Sequence, residues 1–164
     1  MSETSAILLF LHLLGGATWL GASVFANLVV LPYIGRQPST ARPDLVGRLI
    51  LGPERLVIGS ALLAGTTGLL LGVVGGRIAG LDDLAGRYGM LWVASIAIAV
   101  AVFATGGLVT SRAAKRLAGA VGGDATSAGP PGDEDRLRLL RVGFALELTG
   151  IVAVLAVMVL LGRS

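Results

Sequence analysis

Four long apolar stretches dominate the pattern of hydrophobic and polar positions along the chain. We place them at about residues 5–31, 53–74, 88–110 and 139–161. Each reaches the roughly 20 residues that a helix needs to cross about 30 Å of hydrocarbon. Within lipid, a helix satisfies every backbone N–H and C=O group inside one segment, whereas an open sheet does not. The pattern therefore predicts an all-α chain in which residues 1–164 form a single domain, an antiparallel four-helix transmembrane bundle.

The segments between these stretches have the composition of connections. The first stretch follows Glu3 rather than a basic region and exceeds the length of a signal-peptide core, so we expect a retained helix. Pro32 and the two prolines after it predict the end of that helix and an irregular connection. Residues 119–135 are rich in Gly, Pro, Ser and acidic side chains, which predicts a flexible loop.

Lysine and arginine are distributed unequally between the two sides of the predicted bundle. Cytoplasmic loops retain positive charge, so this asymmetry predicts both termini outside, N-out and C-out, in a multi-pass protein of a cell membrane, the inner membrane of a bacterium. The first and third connections carry Arg36, Arg42, Arg48, Arg55, Arg112, Lys115, Arg116, Arg136, Arg138 and Arg141, whereas the other side carries Arg77, Arg87 and Arg163 with Asp82 and Asp83.

Composition agrees with a membrane protein and excludes several functions. Hydrophobic residues make up 54% of the chain, charged residues 14%, and the mean hydropathy is +0.85. The chain has no cysteine, which removes disulfides, zinc–thiolate sites and iron–sulfur clusters. The sequence pI near 10.2 arises from short basic loops without interleaved aromatic residues, so we expect no nucleic-acid partner. No phosphate-binding loop or hydrolase motif is present.

Small residues recur every four positions in the second stretch and predict a close helix–helix contact. This stripe comprises Ser60, Ala64, Gly68 and Gly72. A weaker stripe in the third stretch comprises Ala97, Ala101 and Thr105. Such faces let helix backbones approach closely in lipid, where hydrophobic drive between helices is small. We expect packing within one chain, with a homodimer or a larger membrane complex as the alternative.

A few polar residues inside the predicted spans are candidates for function, because such groups are costly in hydrocarbon. His12 is the only histidine and shares a helix face with Gly16, Trp19, Ser23 and Asn27, which we expect to turn inward. Glu147 lies deep in the last span and serves either as an interhelical hydrogen-bond partner or as a proton or cation site. Glu54, at the start of the second span, is expected to be a solvated border residue.

Two methionines are predicted at the same depth as the histidine. Helix direction places Met90 and Met158 in the same outer third of the membrane as His12. Imidazole and thioether groups are suitable ligands for Cu(I), and a His/Met pair also provides the two axial ligands of haem. Methionine in an apolar helix also serves as packing material, so both interpretations stay open.

The first span carries a recognisable string, from Leu11-His12-Leu13-Leu14-Gly15-Gly16-Ala17-Thr18-Trp19-Leu20-Gly21 to Leu31-Pro32. It resembles the opening helix of copper-resistance D-like (CopD-like) membrane proteins and of related small families, including the HemJ-type protoporphyrinogen oxidases. The second span, closing on Thr67-Gly68-Leu69-Leu70, is similar to their next helix. The resemblance implies that His12 contacts copper or haem and that Trp19 packs nearby.

The third span departs from this pattern. HemJ-like and many CopD-like proteins place a lysine after a Leu-Trp-like pair, whereas Leu91-Trp92-Val93 is followed here by Ala94-Ser95. The departure argues against protoporphyrinogen oxidase activity. The sequence thus predicts first a protein of copper homeostasis or transport. The alternatives are a haem b protein of electron transfer and a non-catalytic accessory subunit of a membrane complex.

Overall fold

Four long helices make up most of the protein in a computed structural model that describes residues 2–119 and 132–162. They are α1 (Glu3–Gly35), α2 (Arg42–Val74), α3 (Arg87–Ala118) and α4 (Asp133–Leu161), and a 3₁₀ turn at Leu81–Ala85 lies between α2 and α3. Each of the four is long and apolar enough to cross a membrane. The predicted all-α, antiparallel four-helix transmembrane bundle is confirmed.

Large apolar side chains cover the outside of the bundle. Phe10, Leu28 and Leu56 are more than half exposed, and Leu28 reaches 69%. A soluble monomer rarely leaves so much contiguous apolar surface in water. The protein is therefore a multi-pass membrane protein whose exposed apolar side chains contact lipid.

The helices are longer than the predicted spans at the end of the bundle that carries the two arginine-rich connections, here called the basic end. The opposite end, where α1 begins and α4 ends, is called the terminal end. Residues 111–118 continue α3 as a helix with exposed Lys115 and Arg116 on one side and buried Ala114 and Leu117 on the other. The α4 helix begins at Asp133, so it takes the last residues of the predicted 119–135 loop, of which 120–131 lie outside the described residues.

Three of the helices contain a single wider, π-helical turn that the sequence pattern did not predict. These turns are Ala26–Val30 in α1, Gly47–Leu51 in α2 and Gly106–Thr110 in α3. In each, the backbone N–H that follows the turn bonds to the carbonyl five residues earlier, as Ser111 does to Gly106. Such turns change which residues face the bundle and are frequent at functional sites.

The bundle consists of two helical hairpins, α1 with α2 and α3 with α4, which are the most extensively packed pairs. An apolar core joins the hairpins at the basic end and draws residues from all four helices. This core comprises Val30, Leu31, Ile34, Val46, Ala113, Ala114, Leu117, Leu137 and Leu140. Toward the terminal end a groove separates the hairpins.

Part of this core lies beyond the hydrocarbon. A helix of 33 residues, such as α1 or α2, is roughly 50 Å long, whereas the hydrocarbon is only about 30 Å thick. Ile34, Val46, Leu117 and Leu137 all lie past the predicted spans, next to arginines in the chain. Water therefore supplies a hydrophobic driving force for packing at the basic end that lipid does not supply within the spans.

Ionic contacts add to the connection between the hairpins at the basic end. The buried Arg42 pairs with Glu134 of α4 and also donates to the carbonyls of Gln37 and Gly35. Lys115 of α3 lies 3.5 Å from Glu54 of α2. Both ion pairs cross from one hairpin to the other, but Glu134 and Lys115 are largely exposed, so the pairs add little to the apolar core.

The small-residue stripe of α2 is occupied by contacts within the chain, which confirms the prediction of intramolecular packing for this face. A Cβ added at Gly15 of α1 would lie 2.8 Å from the Ser60 carbonyl oxygen and 2.9 Å from the Ala64 nitrogen. Farther along, the His12 ring covers Gly68 and the Trp92 ring covers Gly72. Glycine is required at position 15 because two backbones meet there without space for a side chain.

The weaker stripe of α3 does not face the interior of the bundle. Ala97 and Ala101 are exposed, and Thr105 is half-buried and bonds to the carbonyl of Ala101. The buried positions between Arg87 and Thr105 are instead Gly89, Ser95 and Val102. The expectation that this stripe packs inside the bundle is therefore wrong, since α3 turns a different face inward.

The connection between α2 and α3 is organised by one carboxylate. Asp83 accepts hydrogen bonds from the backbone N–H groups of Ala79, at 2.8 Å, and Gly80, at 2.9 Å. Because these donors stabilise the charged form, they lower the pKa of the Asp83 carboxyl below its ordinary value.

Substitution of Gly15 by alanine tests the close approach of α1 and α2. The new Cβ meets backbone atoms of α2 that cannot rotate away, so we expect the free energy of unfolding to fall by about 1–3 kcal/mol. Gly16→Ala is the matched control, since nothing lies within 4 Å of a Cβ there. Unfolding by SDS titration in detergent micelles measures both. Equal stabilities of the two variants would contradict the close contact.

Hydrogen exchange at Ala79 and Gly80 tests the role of Asp83 in the α2–α3 connection. Asp83→Ala should speed exchange at both amides, whereas Asp82→Ala, which removes the same charge at the adjacent position, should not. The lowered pKa means that protection in the unsubstituted protein is complete above the ordinary aspartate pKa. It is lost as the pH falls through the lowered pKa. Protection that is insensitive to Asp83→Ala would show that the carboxylate does not organise this turn.

Candidate functional site

The groove between the hairpins is the larger of two cavities that lie along the bundle. Its volume is about 790 Å³, and it extends from Arg77 and Gly162 at the terminal end to Trp19, Ala61 and Phe103 near mid-bundle. Most lining residues are apolar, and all four helices contribute. Its size lies within the roughly 300–1,000 Å³ typical of cofactor and small-molecule sites.

His12 lines this groove and has a defined proton arrangement. Its Nδ1 lies 2.8 Å from the Ala64 carbonyl oxygen of α2. A carbonyl only accepts hydrogen bonds, so Nδ1 carries the proton and donates it, which leaves a lone pair on Nε2. A backbone carbonyl orients ligating histidines in the same way at many metal sites. The ring has room because Gly68 has no side chain.

Of the other residues predicted for the metal and cofactor site, two line the groove and one does not. Trp19 and Met158 line the same groove as His12. Met90 is 58% exposed and is not among the lining residues. The structure thus brings together one imidazole, one thioether and the indole of Trp19, and it leaves the second predicted thioether on the outside of the bundle.

The terminal end of the groove carries a positive charge. The Arg77 guanidinium carbon lies 4.9 Å from the centre of the Tyr88 ring, a cation–π distance, and both residues line the groove. This arrangement holds a cation beside an otherwise apolar groove, which suits a ligand with an apolar body and an anionic edge. From the sequence, Arg77 contributed only to the predicted orientation of the bundle, because its proximity to Tyr88 depends on the turn between them.

Trp92 also lines the groove but directs its polar atom away from it. Its indole Nε1 is buried against Gly72 and has no hydrogen-bond acceptor. A buried N–H without a partner costs about 1–3 kcal/mol. Packing of the ring against glycine offsets this cost, so the residue acts as a wall of the groove.

The second cavity, of about 320 Å³, lies nearer the basic end. Glu147, Glu54 and Lys115 line it, and Trp19, Ala61 and Phe103 line both cavities. Thr110 donates a short hydrogen bond to Glu147. Glu54, expected to be a solvated border residue, is only partly solvated: it is half-buried and accepts a hydrogen bond from Ser111 at 2.7 Å. The α3 helix places Ser111 and Lys115 against it.

Asn27 performs a structural task between helices. Its Nδ2 donates to the Ser23 carbonyl of its own helix at 2.9 Å and to the Phe144 carbonyl of α4 at 3.1 Å. The predicted inward face of α1 is therefore largely confirmed, with Ser23 buried and His12, Trp19 and Asn27 in contact or facing cavities. Gly16 is the exception, since a Cβ there would meet nothing within 4 Å.

Within residues 2–119 and 132–162, no three His, Asp or Glu side chains come together as a metal-binding group. The donor set of the groove is instead one imidazole and one thioether. Imidazole and thioether groups are the donor types found at soft metal ions and at haem iron. They do not fit a hard, oxygen-ligated ion such as Mg²⁺ or Ca²⁺.

Comparison with protein-family models, with curated proteins and with solved structures finds no match for this chain. The resemblance to CopD-like proteins therefore stays a prediction that rests on residues of the first two helices. The functional proposals below rest mainly on the geometry of the groove.

Proposed function

We propose that the protein binds a haem b-type tetrapyrrole in the groove between its hairpins and acts in membrane electron transfer. The observation that carries this proposal is the position of His12, which lines a groove of about 790 Å³ with its Nδ1 committed to a carbonyl. A metal ion alone does not require a groove of that size, whereas a flat apolar macrocycle does require a large apolar site.

The residues around the groove suit such a ligand. His12, through Nε2, and Met158 are the residues that would hold the iron of such a group. Arg77, at the terminal end, would pair with the carboxylates at the edge of the macrocycle. Trp19, Trp92 and other apolar side chains would exclude water from its faces. When bound, haem supplies one-electron chemistry whose potential depends on the axial ligands and on burial.

Copper handling is the second candidate, and the presence of His12 and Met158 on one groove favours it. Nitrogen and thioether ligands select Cu(I), and an ion held by few protein ligands exchanges readily. In this case the two residues would serve as transient ligands in copper homeostasis or transport. The resemblance of the first helix to CopD-like proteins points in the same direction.

Haem titration of the detergent-purified protein tests the first proposal. We expect a Soret band on haem addition, at least about tenfold weaker binding for His12→Ala, and recovery on addition of free imidazole, which replaces the lost ligand. Met158→Leu should alter the spectrum, and Met90→Leu, its matched control on the outside of the bundle, should not.

Metal analysis of the same preparations separates the candidates. The copper proposal would replace the haem proposal if no Soret band is seen and the unsubstituted protein and Met90→Leu retain copper. In that case His12→Ala and Met158→Leu should not retain it. Neither a Soret band nor retained copper would overturn both proposals.

We further propose that the basic end faces the cytoplasm of a bacterial cell and that both termini lie outside. The charge asymmetry between the two ends supports this orientation. Because the chain has no cysteine, Ser2→Cys and Ser39→Cys each introduce a unique thiol at an exposed position. In intact spheroplasts, an impermeant maleimide should label position 2 and not position 39. The reverse pattern would invert the orientation.

A further inference from the structure

Glu147 and the second cavity take no part in the proposed haem or copper site. The side chain is only 7% exposed and lies in the middle of α4. The Thr110 hydroxyl donates to its carboxyl. Two glycines make room for this pair, since Gly106 lies against the carboxyl and a side chain at Gly143 would displace the Thr110 hydroxyl.

The carboxyl takes part in no ion pair within residues 2–119 and 132–162. The ion pairs of this part of the chain include Arg42–Glu134, Arg48–Asp44 and Lys115–Glu54. A carboxylate buried without a counter-charge is costly, and one hydrogen bond from a hydroxyl does not compensate for it. Carboxyl groups in this situation within membranes commonly carry protons.

The cavity gives this carboxyl a connection to one end of the bundle. From Glu147 it passes Thr110 and Ser111 to Glu54 and Lys115, the other two charged residues that line it. Its volume of about 320 Å³ is far above the roughly 10–15 Å³ that one water molecule needs. Polar side chains along the wall provide partners for such water.

Toward the groove the connection is apolar. Trp19, Ala61 and Phe103 line both cavities and mark the place where the two cavities adjoin. On the side of α1, the neutral Asn27 is committed to backbone carbonyls. Among the three shared residues the only polar side-chain atom is the indole nitrogen of Trp19, which donates a hydrogen bond but does not accept a proton. The boundary toward the groove therefore offers no group that would pass on the proton of Glu147.

We propose that Glu147 is a proton-binding site that exchanges its proton with water at the basic end of the bundle through the second cavity, and not with the terminal end. Proton uptake converts the carboxylate to a carboxylic acid beside Thr110, and release reverses the step. A protein that moves an electron or a cation within the groove thereby gains a compensating charge at mid-membrane. The proposal stands independently of which ligand the groove binds.

Labelling with dicyclohexylcarbodiimide tests this inference, because the reagent enters membranes and reacts with protonated carboxyls. Sealed inside-out and right-side-out vesicles are labelled briefly with the pH set separately on each side. The labelled fraction of the peptide that contains Glu147 is then measured by mass spectrometry. The thiol at position 39 reports which side the basic end faces.

We expect the adduct on Glu147 to decrease when the pH is raised at the basic end. Once the carboxyl is mostly ionised, the decrease should be about tenfold for each further pH unit, since the protonated fraction then follows the proton concentration. Raising the pH at the terminal end alone should leave it unchanged. Glu147→Gln, which conserves shape and the acceptor for Thr110, should lose the adduct on this peptide. Glu3→Gln, an exposed carboxyl at the terminal end, should leave that adduct unchanged. No adduct, an adduct independent of pH, or a response to the terminal end would overturn the proposal.

Discussion

The apolar core at the basic end is the interaction on which the rest of this structure depends. It lies partly beyond the hydrocarbon, where water drives apolar side chains together, and it takes residues from all four helices. Within the spans no comparable force holds one hairpin against the other, because lipid is as apolar as leucine. The hairpins are therefore joined firmly at one end and separated by a groove toward the other.

This difference between the two ends explains where the polar groups of the interior lie. In the hairpin of α1 and α2, backbones meet at Gly15, and the same closeness allows His12 to donate to the Ala64 carbonyl. Between the hairpins, where packing is looser, cavities lie beside His12 on one side of Trp19 and beside Glu147 on the other. His12 thus has a backbone partner beside one cavity, and Glu147 has a hydroxyl partner beside the other.

The two cavities are lined by different functional groups, in two different parts of the bundle. The groove combines an imidazole, a thioether and a cation at its edge, which are the groups on which the proposed ligand site rests. The second cavity combines a carboxyl, a hydroxyl and an ion pair, which are the groups on which the proposed proton exchange rests. Trp19 and Phe103 line both cavities where they adjoin.

The sequence by itself determined the number of spans, their helical nature and the inward face of α1, because lipid leaves the backbone no alternative and because polar residues are rare in it. It also identified His12, Met158 and Glu147 as candidates. Only the tertiary structure distinguished Met158 from Met90, since both are apolar residues at similar depth and the rotation of each helix depends on packing. The same holds for Thr110, whose contact with Glu147 follows a π-helical turn that no periodic pattern predicts. Long-range packing, rather than local sequence, places side chains of different helices around one cavity.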